Sequence, residues 1–174
     1  MKAIGTIDSS KNFIDFEIEK PILRPHDLLI KVKAISINPV DTKVRKGIKG
    51  NLAEPKILGW DGLGTVVELG SETKLFKVGD KVFWAGDVTR SGSNAEFQAV
   101  DERIVGFAPK NLTKEKAVAM PLTSLTAYEL LFEKLEVTDE SKGKSLLIIN
   151  GAGGVGSVAI QMAKNAGLTV IATA

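Results

Sequence analysis

The residues best placed for chemistry are Gly151-Ala152-Gly153-Gly154-Val155-Gly156. A bare G-x-G-x-x-G says little. Here it follows the compact apolar run SLLIIN and opens SVAIQMAKNAG. In the second run Val155, Val158, Ala159, Met162 and Ala163 recur at helical spacing. Gly167 ends it, and the apolar TVIATA follows. The pattern predicts strand, helix, strand, the context in which this glycine spacing cradles a dinucleotide pyrophosphate. Gly151 permits a tight turn, Gly153 lets the backbone approach the phosphates, and Gly156 lets helix and strand pack closely. The N–H groups of the first helical turn lack intrahelical acceptors and face the negative charge. The competing reading is a glycine-rich loop of purely structural use. A mononucleotide phosphate loop is excluded, because no lysine follows Gly156.

The end of the second strand bears on which dinucleotide is held. A site for NAD places Asp or Glu there, against the ribose hydroxyls. This strand ends Ala172-Thr173-Ala174, and Ala174 lies 23 residues beyond Gly151. No carboxylate stands there to repel a 2′-phosphate, so NADP(H) is the expected cofactor.

The elements that must position such a site divide in two. Residues 1 to about 110 read as strands. KAIGTI, FIDFEIE and LLIKVKAIS are rich in β-branched and apolar residues. The last alternates, with Ile30, Val32, Ala34 and Ser36 on one face and Lys31, Lys33, Ile35 and Ile37 on the other. Pro21, Pro25, Pro39 and Pro55, with glycines at 59, 62, 64, 70, 79, 86 and 92, supply turns. Short strands so punctuated predict a curled, barrel-like antiparallel unit. Near residue 111 the character changes. A helix start is read at Asn111–Ala117, with Thr113 and Lys116 as half a capping box. A second helix is read from Ser124 to Glu133, with Leu125, Leu130, Leu131 and Phe132 as its apolar stripe. The expected domains are 1–122 and 123–174.

Composition excludes several classes. Twenty-three Lys and Arg face 21 Asp and Glu, and a net charge of +2 gives no general pull toward nucleic acid. With no cysteine there is neither a disulfide scaffold nor a thiolate-held metal. No apolar stretch approaches the roughly 20 residues of a membrane span. MKAIGTIDSS has no signal-peptide core, so a cytoplasmic location is the default expectation.

With these motifs in view, the sequence resembles the medium-chain dehydrogenase/reductases. It is most similar to the zinc-type alcohol-dehydrogenase-like proteins of the quinone oxidoreductase branch. The segments that carry the likeness are LLIKVKAISINPVDTKVRKG, PKILGWDGLGTVVELG, FKVGDKVFWAGD, GSNAEFQAVDE, MPLTSLTAYELL and NGAGGVGSVAIQMAK. The resemblance implies a mostly β GroES-like barrel domain followed by the start of an α/β Rossmann domain, with the chain ending inside the latter. It also implies hydride transfer to a small electrophile, a quinone or α,β-unsaturated carbonyl compound, by a homodimer when full length.

The resemblance places a zinc-ligating cysteine where this chain has Asn38, and a histidine where Gly59-Trp60-Asp61 has Trp60. No metal is therefore expected. The sole histidine, His26, is read as an exposed turn residue. Asn38, Pro39 and Asp41 fall in the family's active-site loop, where Asn38 and Asp41 would position nicotinamide or substrate. Lys43, which replaces a tyrosine of several relatives, either donates a hydrogen bond to a carbonyl or faces solvent. Trp60 and Asp61 read as a pocket wall and its polar rim, or as a core aromatic and a turn residue. Thr126 matches a position near the nicotinamide, or is a plain helix threonine. Two other functions stay open: a zinc-dependent alcohol dehydrogenase, and a cofactor-binding protein without turnover.

Overall fold

The alternation in residues 27–36 becomes an interior strand of the larger sheet. The computed structural model describes residues 1–8 and 12–174. Its strands are β1 (Lys2–Asp8), β2 (Ile14–Glu17), β3 (Asp27–Ser36), β4 (Asn51–Ile57), β5 (Asp61–Leu69), β6 (Lys81–Ala85), β7 (Phe97–Asp101), β8 (Val105–Phe107), β9 (Ser145–Ile148) and β10 (Thr169–Ala172). Its helices are α1 (Pro39–Lys46), α2 (Lys114–Val118), α3 (Pro121–Tyr128) and α4 (Gly154–Asn165). Two compact units result, Met1–Ala119 and Met120–Ala174.

In the first unit five strands form one antiparallel sheet in the order β7-β3-β5-β6-β8. β3 pairs with β5 from Leu28↔Leu69 to Ser36↔Asp61, with two register shifts, and with β7 from Asp27↔Asp101 to Lys31↔Phe97. A separate sheet runs β2-β1-β4. The expected barrel is not there, because the larger sheet stays open. Successive antiparallel pairings make its two edge strands, β7 and β8, run the same way. Parallel neighbours need a crossover of a dozen residues or more. Only the one-turn helix Glu102–Ile104 joins β7 to β8, so no ladder can close them.

The core of this unit is Leu28, Ile30, Val66, Val82, Trp84 and Val100, drawn from β3, β5, β6 and β7. Leu63, Ala117 and Val118 form a smaller cluster under α2. Two buried polar links join the sheet to the segment after β6. The Trp84 indole donates to Gln98 Oε1 at 2.9 Å, and Gln98 Nε2 donates to the Ser91 carbonyl at 3.0 Å. The Arg90 guanidinium grips Asp27 with both arms, at 2.9 and 2.6 Å.

The second unit holds the expected strand–helix–strand. β9 and β10 are parallel, from Ser145↔Thr169 to Ile148↔Ala172, with α4 as the crossover. The helix read at 124–133 starts earlier, at Pro121, and passes into a π-helical turn over Glu129–Lys134. Only part of the expected stripe is buried. Ala127 and Leu131 enter the core with Ala159, Ala163 and Leu168, whereas Leu125 and Leu130 are exposed.

Asp27 gives the first unit an acid-sensitive link. Burial opposes its ionisation, but the Arg90 fork and the Arg24 N–H outweigh that and hold its carboxyl below the usual 3.8. A lowered folded value means a contribution complete above the ordinary carboxylate range and lost as pH falls through the folded one. Asp27→Asn is expected to lower stability at neutral pH by about 3 kcal/mol, the scale of a broken buried pair. It should also flatten the loss of stability below about pH 4. Urea unfolding from pH 7 to pH 2 checks both.

Candidate functional site

Asn38 lies where β3 turns into α1. Its extended backbone, with φ −124° and ψ 158°, makes it the N-cap, and Pro39 occupies the first helical turn. The Asn38 N–H donates to Asp41 Oδ2 at 2.8 Å, the reach-back half of a capping box. The Asn38 amide turns inward and donates to Asp61 Oδ2 at 2.8 Å. Asp61 is fully buried and Asn38 nearly so. The structure thus brings Asn38, Asp41 and Asp61 together, with Asp61 inside the fold rather than at a polar rim. Pro39 and Lys43 are exposed, and Asp41 and Trp60 are half-buried.

The segment that carries Trp60 is held along its whole length. The carbonyls of Ile57, Leu58, Gly59 and Trp60 accept from the N–H groups of Gly92, Asn94, Ser93 and Gly86, at 2.9, 2.9, 3.1 and 2.7 Å. The Asp61 carbonyl accepts from the buried Ser93 hydroxyl at 2.8 Å. Gly59 has φ +108°, and a Cβ there would lie 2.5 Å from Ser93 Oγ, so only glycine fits. Beside this site a cavity of about 920 Å³ is lined by Ile4, Phe13, Ile35, Asp41, Leu58 and Ser93, among others.

In the second unit the glycines differ in what they must accommodate. A Cβ on Gly151 would lie 2.8 Å from that of Ala172, and one on Gly156 would run into the Asn150 carbonyl. A Cβ on Gly153 would lie 2.8 Å from Asn150 Nδ2, whereas one on Gly154 would meet only a Thr123 methyl at 3.3 Å. Gly153 caps α4 with extended backbone, and Ala152 is exposed. Val155 packs on the core of this unit. Asn150, which the motif reading passed over, adopts φ +60° and donates its N–H to Thr173 Oγ1 at 3.0 Å. The Asn-Gly dipeptide was the available signal. Thr126 sits on α3 with its hydroxyl donated to the Leu122 carbonyl at 2.8 Å, and Ala174 is exposed just past β10.

His26 is not a free turn residue. It is half-buried, with Nε2 3.2 Å from Glu72 and Nδ1 3.5 Å from buried Glu102. Burial disfavours the Glu102 carboxylate, yet the N–H groups of Leu75 and Lys74 and the imidazole hold its pKa below the ordinary value.

Zinc does not suit the residues present. Trp60 offers no ligand atom. Among the described residues no group of three or more His, Asp or Glu could hold a metal, and no helix is long and apolar enough to cross a membrane.

Comparison with known proteins places this geometry. Residues 24–121 match the family described as "Alcohol dehydrogenase GroES-like domain". A zinc-type alcohol dehydrogenase-like protein of Staphylococcus epidermidis is 47% identical across the whole chain, which covers 54% of that protein. The chloroplastic NADPH-dependent alkenal/one oxidoreductase of Arabidopsis thaliana is 39% identical over 92% of this chain and 42% of its own. The quinone oxidoreductase structure from Coxiella burnetii superposes with a TM-score of 0.82 at 34% identity, covering all of this chain and 56% of that one. The chain belongs to the alcohol dehydrogenase GroES-like domain family, within the quinone oxidoreductase branch of the medium-chain dehydrogenase/reductases. It spans about half the length of the curated relatives it matches.

The unequal glycines make a stability test. Gly156→Ala is expected to cost about 2 kcal/mol or more by overpacking against backbone. Gly154→Ala should stay within about 1 kcal/mol of the parent, on either side. Chemical denaturation of both variants, followed by circular dichroism, checks the contrast.

Proposed function

We propose that the whole protein is an NADPH-dependent oxidoreductase that reduces a quinone or α,β-unsaturated carbonyl compound without a metal. The observation that carries this reading is the Gly151–Gly156 turn. Gly151 and Gly156 leave no room for a Cβ, so the turn is drawn tight against its own backbone, and Gly153 leads it into the first turn of α4. That is the form a pyrophosphate cradle requires. The names of the Arabidopsis and Coxiella relatives point the same way.

When bound, the nucleotide supplies the hydride. This chain's residues do the rest. The N–H groups of Gly154, Val155 and Gly156 meet the phosphates, and Ala152 and Gly153 shape the approach. Thr126, its hydroxyl proton already committed, offers an oxygen that can accept from the carboxamide. Asn38 and Asp61 satisfy each other, so they shape the site and leave the proton to another group. Lys43 is that group in this proposal. Its exposed ammonium donates to the carbonyl oxygen on which negative charge develops. Trp60 and Asp41 wall the site. Pairing of two chains into a homodimer belongs to the same reading, and sedimentation of the whole protein tests it.

Two measurements test the chemistry. Lys43→Met is expected to lower kcat roughly 10²-fold, the scale of one lost donor to a developing oxyanion. Unchanged kcat would return Lys43 to solvent. For the cofactor, kcat/KM with one enone is expected to favour NADPH over NADH, and Ala174→Asp to reverse the trend. A charge-assisted contact to the 2′-phosphate corresponds to about 10- to 150-fold. Equal values in the parent would refute the NADPH assignment, and a ratio that the substitution leaves alone would show that Ala174 does not set it.

A further inference from the structure

The five carbonyls from Ile57 to Asp61 all accept from the segment 86–94, so Trp60 sits where that segment puts it. The segment is itself tethered from within the unit. Arg90 reaches Asp27 with both guanidinium arms, and Ser91 is gripped by Gln98. Asp27 is buried at 1% exposure and Arg90 is largely covered at 15%. The partners lie 63 positions apart in the chain. Arg90 also lines the same small cavity as Trp60 and Asp41. Its neighbours Asp87 and Thr89 form a local turn, and Lys56 ties down Val88. Arg90 is therefore the charged anchor in the middle of a splint whose two ends fix the Trp60 wall. We propose that Arg90, held by Asp27, is a positioning residue for Trp60. Its functional weight rests on the reading of Trp60 as a wall of the substrate site.

The planar fork matters here, because an ammonium cannot match two carboxylate oxygens at once. The test is 19F NMR of the whole protein carrying 5-fluorotryptophan. The Trp60 and Trp84 signals are assigned by Trp60→Phe and Trp84→Phe, and Trp84, buried in the core, serves as the internal control. In Arg90→Ala and Arg90→Lys the Trp60 signal is expected to shift or broaden more than that of Trp84, which reaches the segment only through Gln98. Millimolar guanidinium should restore the Trp60 signal of Arg90→Ala, and ammonium should not. Where the enzyme turns over an enone, KM in Arg90→Ala should rise about tenfold or more, as expected when a wall is displaced. An unmoved Trp60 signal overturns the proposal, as does a Trp84 signal that moves equally. A shift that guanidinium leaves in place assigns the effect to lost packing and also overturns it. So does failure of both variants to fold, since the pair would then support the whole unit. Absence of turnover in the parent would instead count against the oxidoreductase reading, while the NMR arm still decides the role of Arg90.

Discussion

Five consecutive carbonyls, from Ile57 through Asp61, are all satisfied by a segment that lies about thirty residues further along the chain. Between the ends of β4 and β5 the backbone belongs to no ladder, yet its buried polar groups must find partners. The 86–94 return supplies them one by one. Gly59 can take its left-handed conformation, and Asp61 can enter β5 fully buried, because this pairing absorbs the cost. The Asn38 cap, the start of α1 and the wall at Trp60 all depend on that arrangement. β3 brings Asn38 to the place, β5 brings Asp61, and the Ser93 hydroxyl closes the join.

What could be read from the residues was whatever repeats locally. β3 was legible because one of its faces packs in the core, which enforces a period of two. The β9–α4–β10 unit was legible because strand, glycine turn and helix each carry their own signal within thirty residues. Closure of the sheet was not legible, since it depends on the direction of β7 relative to β8, a property of the whole topology. The stripe read over 124–133 was legible only in part. Leu131 and Phe132 of that stripe pack in the core, but Leu125 and Leu130, five residues apart, lie exposed.

The site shows the same division. Asn38, Asp41 and Asp61 were picked out together, and they meet. Their partnership makes Asn38 a cap bound to a buried acid, a role that no residue type alone announces. Arg90 and Asp27, so distant in the chain, gave no local pattern at all. His26 looked isolated because its two glutamates come from a loop and a turn that only the fold brings near. Asn150 precedes the glycine motif, and its positive φ belongs to the turn that the fold imposes there.

The letters of that motif are unequal in physical terms. Gly151 and Gly156 face backbone and core with no space for another carbon, while Ala152 is exposed and a Cβ on Gly154 would meet only a Thr123 methyl. Sequence drift within this turn is thus channelled. Positions 152 and 154 can change their chemistry and so retune what the loop presents to a ligand. Positions 151 and 156 are frozen by the chain's own bulk, whatever ligand the turn serves.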